Sequence, residues 1–400
     1  MRILVLTQVV VYPADAGPKV KTLQVLRYLA ARHEVIYCTF VRSEQEARDA
    51  EKLREICQRV ITVPLQRSRV SDVRFLVESV ATGDSFLLRR DDRAAMRAMV
   101  RQLLQEEHID ALHVDQLNMM RFVPSDWPGT VILDEHNAVW QVFERLQKGT
   151  RNPLSRRILA REARVIRKIE GEACRRAQVV LAVSEEDQQA LRIVAGESVP
   201  IEVVPITVDA AQFQPLWEAR DPQPDRLLTI GTMFWLPNSE GVMWWLRDGY
   251  EHLRSLRPNV TYDIVGARPP RALQAVAEQH AGVRVHGYVP DAKPFWAQAA
   301  ALAVPLLSGG GVRVKILEAM AIGVPVVSTA IGCEGLAVRN GEHLLVADTP
   351  EAFSHACARV LQDQELAQRL THNARQLILE RYDSKIALDT LDAVYARARK

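Results

Sequence analysis

The chain predicts an α/β fold made of two doubly wound parallel sheets in series. Three observations predict it. Short apolar, β-branched runs alternate with longer amphipathic stretches along the whole chain, the pattern of strands joined by crossover helices. Many of the runs end in turns of glycine and polar residues, where open α/β sheets place their ligands. A proline-rich polar tract from Gln214 to Asp225 separates two such series and reads as a domain join. The 400 residues suit two or three domains of ordinary size.

The first series contains Arg2–Leu6, Glu34–Cys38, Val60–Val63, Ala111–Val114, Val131–Asp134, Val179–Val183 and Glu202–Val204, with helical stretches such as Val20–Ala31 between them. The second contains Leu227–Ile230, Tyr262–Val265, Val283–Val285, Ala301–Val304, Val324–Ser328 and Leu344–Val346. A last amphipathic helix runs from Ser384 to about Arg397, with Asp383 or Ser384 as its N-cap. The expected organisation is a first domain over residues 1–208, a second over 209–380 and a terminal helix over 381–400.

Composition narrows the function. Lys plus Arg total 51 and Asp plus Glu total 49, so bulk charge does not argue for a nucleic-acid partner. Five scattered cysteines with no Cys-x-x-Cys pair point to a reducing compartment and no structural zinc. Arg2–Leu6 reads as a buried strand rather than a signal peptide, and no window is long and apolar enough to span a bilayer. A cytoplasmic protein is expected.

The segment Pro305–Met320 carries the strongest chemical signal. A strand end runs into Gly309-Gly310-Gly311, then Val312, and Arg313, Lys315 and Glu318 come next, in or near the first turns of a helix. Glycines let the backbone approach a ligand, and a helix N-terminus offers free N–H groups to an anion. Cations there oppose the helix dipole by about 0.3–1 kcal/mol each, so two of them make sense beside a bound anion. Glu318 is placed to meet ribose hydroxyls. The set suits a nucleoside diphosphate.

Other strand ends add candidates. The first turn leads to Gly17, Pro18 and Lys19, a helix start with free amides that suits a phosphate; Lys21 is a further cation there. Asp134-Glu135-His136-Asn137 closes a buried strand, and so many polar groups are expected to open into a cleft. In the second series Gly231 permits close phosphate approach, Asn238 lies downstream, and Gly266-Ala267-Arg268 and Gly287-Tyr288-Val289 are further strand-end turns. No Gly-x-Gly-x-x-Gly stands after a strand, which argues against a dinucleotide enzyme.

Glu318-Ala319-Met320-Ala321 and the glycine turn before it resemble the donor-binding element of retaining GT-B glycosyltransferases of family four, in its exopolysaccharide-type branch. The resemblance implies two Rossmann-like domains facing a central cleft, with the terminal helix crossing back to the first. It implies sugar transfer from a nucleotide-diphosphate donor to a glycan or lipid-linked acceptor, with retention and no essential metal or other cofactor. It gives His136 a hydrogen bond to the donor sugar and puts Tyr288 and Val289 at the nucleobase. The family's first glutamate falls at Gly310 and is absent, as are an arginine and a lysine that many members carry after the glycine matching Gly231. Arg313 and Lys315 are the expected replacements in stabilising the leaving diphosphate. A sugar-nucleotide epimerase or hydrolase, or a non-catalytic GT-B partner, is the alternative.

Arg145–Arg176 is strongly basic and amphipathic. It reads as a solvated helix packed on the sheet, or as a peripheral contact with an anionic membrane.

Overall fold

The computed structural model describes residues 1–14, 17–150, 152–309 and 311–397. The chain forms two compact units, Met1–Ile206 with Leu388–Lys400, and Thr207–Ala387.

In the first unit seven parallel strands lie in the order β3-β2-β1-β4-β5-β6-β7. They are β1 (Arg2–Thr7), β2 (Glu34–Val41), β3 (Arg59–Pro64), β4 (Ala111–Asp115), β5 (Thr130–Asp134), β6 (Val179–Ala182) and β7 (Ile201–Val203). Successive side chains point to opposite faces of a strand, and both faces are apolar here. Leu4, Leu6, Ile36, Leu112 and Leu133 join one core cluster, while Ile3, Val5, Val35, Ala111 and Ile132 join another. A sheet covered on both sides explains why its strands read as continuous apolar runs.

In the second unit six parallel strands lie in the order β10-β9-β8-β11-β12-β13. They are β8 (Arg226–Ile230), β9 (Thr261–Val265), β10 (Val283–Gly287), β11 (Ala301–Val304), β12 (Val326–Ser328) and β13 (Leu345–Val346). Its core holds Leu227, Ile264, Ala303 and a cage of aromatic rings. There Trp245 meets Tyr262 and Phe353 edge-on, at 5.2 and 5.0 Å between ring centroids. Each of the thirteen expected strands is present, with ends within three residues of the reading from sequence.

Eight helices position the sites and surfaces of interest: α1 (Gly17–Ala30), α2 (Arg69–Thr82), α3 (Val139–Gly149), α4 (Pro153–Arg176), α5 (Ala210–Glu218), α6 (Leu236–Asp248), α7 (Val314–Ile322) and α8 (Thr390–Arg397). α8 supplies Leu391, Val394 and Tyr395 to the core of the first unit.

Two expectations need correction. The tract Gln214–Asp225 is not a domain join. Gln214 and Pro215 lie inside α5, and the rest is bonded to the second unit through Arg220 Nη2 to the Ala299 carbonyl (2.6 Å) and the Gln223 N–H to the Gln298 carbonyl (2.9 Å). Polarity and proline marked an anchored connection here, because its donors find carbonyls of one unit. The last helix is also broken. Ser384–Ala387 is a separate turn, capped by Asp383 through the Lys385 N–H (2.9 Å), and α8 begins only at Thr390.

Candidate functional site

Strand order reverses between β8 and β11 in the second unit and between β1 and β4 in the first. In open α/β sheets, ligands bind beyond the strand C-termini at such reversals.

In the second unit, the turn after β8 and the start of α7 after β11 meet at the reversal. Lys315 Nζ donates to Asn238 Oδ1 at 2.8 Å, and Asn238 Nδ2 donates to the Thr232 carbonyl at 3.0 Å. Asn238, in the first turn of α6, thereby orients the lysine and pins the loop. Gly231 has φ +148, and a Cβ there would stand 2.8 Å from Lys315 Nζ. The glycine makes room for the amine. Gly266 allows a tighter approach, since a Cβ would lie 1.7 Å from the Gly231 carbonyl oxygen. The Met233 N–H to the Ala267 carbonyl (3.1 Å) joins the same two turns.

Arg313 is buried at the N-cap position of α7, with no side-chain cap, and its Nη1 donates to the Gly311 carbonyl. Gly309 and Gly311 have φ of +110 and +79, left-handed values that favour glycine. The Trp235 ring packs over Gly309, within 3.0 Å of where a Cβ would be. Val312 is buried beside it. Gly310 lies outside the described residues.

The electrostatics of this corner are unusual for the two residue types. Burial, with the Arg313 charge added, pushes the Lys315 amine down to about 7 against the opposing pull of Glu318. Burial likewise pushes the Glu318 carboxyl up to about 7 against the pull of Lys315. A partly desolvated lysine beside an arginine at a helix N-terminus is a place where an anion would be welcome.

The other candidates of this unit sit further along the strand ends. Arg268, at φ +51, lies 3.7 Å over the Phe234 ring. That stack holds it against the β8 turn. Tyr288 is exposed and Val289 half-buried, just beyond the edge strand β10. Two strand spacings separate β10 from β8, roughly 10 Å.

In the first unit the expectation of an open polar cleft after β5 is corrected. Asp134, Glu135 and His136 are all buried. The cost of burial is met by partners. Asp134 forms an ion pair with Lys21 of α1 and faces His113 Nε2 at 3.4 Å, while His113 Nδ1 contacts the Tyr395 hydroxyl at 2.8 Å. The Lys21 charge holds the Asp134 carboxyl low, overcoming the desolvation that would raise it. Lys21 is therefore a structural cation rather than a phosphate ligand. Glu135 accepts the Leu117 N–H at 3.2 Å, and burial, then the nearby Glu170, pushes its carboxyl well up.

His136 Nε2 stands 3.1 Å from Asp115 Oδ1, and its Nδ1 is 3.3 Å from Gln116 Nε2. Thr22 Oγ1 of α1 donates to the same Asp115 oxygen at 2.8 Å. Ligand atoms of Asp115, Asp134 and His136 lie within 4.8 Å of one another, a grouping with the donor types for a divalent cation, though Lys21 already neutralises Asp134. Gly17 opens α1, Lys19 lies in its first turn, and Asn137 is half-buried after His136. Asp115 and Gln116 were not singled out from sequence. Gln116 sits at φ +68 at the sheet's reversal point, and strained non-glycine backbone of that kind gathers at functional positions. No local sequence motif announces it.

Known proteins share this architecture. Residues 224–363 match the family model described as Glycosyl transferases group 1. A curated relative, an uncharacterized 44.6 kDa protein in the cps region of Klebsiella pneumoniae, is 25% identical over 170 residues. That match spans 40% of this chain and 43% of the relative, so the chain covers less than half of the relative's length. Among solved structures, Anabaena Alr3699/HepE in complex with UDP and glucose superposes with a TM-score of 0.68 at 14% identity, over 99% of this chain and 100% of that one. WaaG, a glycosyltransferase involved in lipopolysaccharide biosynthesis, gives 0.67 at 16% identity, over 98% and 99%. The fold is GT-B, and residues 224–363 carry a glycosyltransferase group 1 domain.

Proposed function

We propose that this chain is a glycosyltransferase that moves a sugar from a nucleotide-diphosphate donor to a glycan or lipid-linked acceptor, in polysaccharide or glycoconjugate biosynthesis. The observation that carries the reading is the Lys315–Asn238–Gly231 constellation at the sheet reversal, with buried Arg313 at the start of α7. The diphosphate belongs beside these groups. The nucleoside then extends along the strand ends toward Arg268, Tyr288 and Val289, across the roughly 10 Å between β8 and β10. A relative of the same fold carries UDP and glucose, which makes a UDP-sugar the first donor to test.

Departure of the diphosphate builds negative charge on its terminal phosphate. Lys315, Arg313 and the amides of the glycine turn stabilise that charge, a role worth most in a desolvated site. Glu318, three residues after Lys315, binds donor hydroxyls. His136 belongs to the sugar, held in orientation by Asp115 and Gln116, and Gly17 and Lys19 lie at the start of α1 on the same unit. In this reading transfer proceeds with retention and without an essential metal. The protein is cytoplasmic, with a peripheral membrane contact through Arg145–Arg176.

The test is a thermal-shift panel with UDP, GDP, ADP, CMP, dTDP and NAD without metal, then turnover with the matching sugar donor. A selective rise with one nucleoside diphosphate is expected, and turnover is expected to survive a chelator. No shift with any diphosphate in folded protein would reject the donor site. Binding without any transfer or hydrolysis would favour a non-catalytic partner, consistent with the absence of a carboxylate at Gly310.

A further inference from the structure

α2 is amphipathic the wrong way round for a solvated helix. Val70, Val73, Leu76, Val77 and Val80 fall on one stripe and are 43 to 82% exposed, while Ser79 on the opposite side is buried. An apolar stripe of this size left in water marks an interaction surface. Beside it stands the corner between α3 and α4, where Leu146, Leu154 and Ile158 are also exposed. Arg161 Nη2 of α4 donates to the Ser79 carbonyl of α2 at 2.5 Å and to the Asp84 carbonyl at 3.2 Å. α2 and α4 are therefore joined one turn from Ile158. Residues 145–161, which make that corner, contain six Lys or Arg and no Asp or Glu.

We propose that the outer stripe of α2 and the α3–α4 corner together dock on an anionic lipid bilayer. The valines and leucines enter the boundary between headgroups and acyl chains, and the cations of the corner meet lipid phosphates. Charge selects this occupant. A second copy would bring the same one-signed run opposite itself across a two-fold axis and be repelled, whereas a negative bilayer attracts it. Among the described residues no helix is long and apolar enough to cross a membrane, so the contact lies in the membrane plane. The inference rests on the membrane contact proposed above for its cationic half and adds α2 as the inserted apolar half.

Flotation of the full chain with vesicles of phosphatidylglycerol and phosphatidylcholine in equal parts tests it, with phosphatidylcholine alone as control. Wild-type protein is expected to float with the anionic vesicles at low salt, to release as salt rises, and to ignore the neutral ones. Val73→Glu with Val77→Glu is expected to lower partitioning by about tenfold or more, with helix content and melting unchanged. Arg156→Glu with Arg157→Glu serves as the charge control. If the arginine pair loses binding while the valine pair keeps it, the α2 inference fails and the cationic contact survives. If wild type never binds anionic vesicles, both fail. If the valine pair instead converts a dimer to a monomer without changing flotation, α2 is a self-association face and the inference is overturned.

Discussion

Lys315→Ala removes the amine that Asn238 and Gly231 are arranged around. Turnover is expected to fall about 10²- to 10³-fold, the range for losing one preorganised donor to developing charge, with a much smaller change in nucleotide affinity. Steady-state kinetics beside equilibrium binding separates the two. A second expectation concerns pH. Unliganded Lys315 titrates at about 7, and a bound diphosphate favours its ammonium form. Binding therefore takes up a proton above pH 7, and affinity falls as pH rises beyond 7, by at most about tenfold per unit. Calorimetry in two buffers of different ionisation enthalpy reads that proton. The stability signs are opposite for the two partners. The unfolded chain holds the Lys315 proton more tightly, so this group makes stability rise with pH from about 7 to its ordinary 10.5. The folded chain holds the Glu318 proton more tightly, so that group makes stability fall as pH rises from 4.5 to about 7. Both penalties are in force near pH 7, and a bound anion relieves the lysine's share.

At the level of elements, the strand-to-helix turns do what their glycines allow. Gly266→Ala would drive a Cβ into the Gly231 carbonyl and separate the turns after β8 and β9. A loss of about 1–3 kcal/mol is expected from such overpacking, together with loss of nucleotide-induced stabilisation. Chemical denaturation with and without nucleotide checks both. The elements themselves were legible in the sequence because parallel strands covered on both faces, such as Arg2–Thr7 and Ala301–Val304, are uninterrupted apolar runs. So was the α7 corner, where Gly309, Arg313 and Lys315 are neighbours in the chain. The first-unit network was not. Asp115, Asp134, His136, Lys21 and Tyr395 come from four distant segments, and nothing local shows that Lys21 faces inward to Asp134. The outward stripe of α2 was hidden for the converse reason: its apolar spacing is that of an ordinary buried helix face, and only its exposure reveals that the face has no cover.

For the whole molecule, the chain leaves the first unit at Ile206 and re-enters it at Leu388. Ending the chain after Leu388 would remove Leu391, Val394 and Tyr395 from the core of the first unit, and the Tyr395 hydroxyl from His113. Losses of about 2–5 kcal/mol for each large buried side chain exceed what a domain of ordinary stability can absorb. Limited proteolysis of that variant, read by mass spectrometry, is expected to digest Met1–Ile206 and spare a fragment within Thr207–Ala387. Tyr395→Phe alone is expected to cost only about 1 kcal/mol.

The same connectivity sets a timetable during synthesis. The sheet β1–β7 leaves the ribosome first, yet its core stays open on one face until α8 has been translated. The second unit, contiguous in the chain, holds all of its strands before that point. The segment made last is thus the one that closes the unit begun first, and the interval between them is when Ile3, Val5 and Val35 have most need of a chaperone.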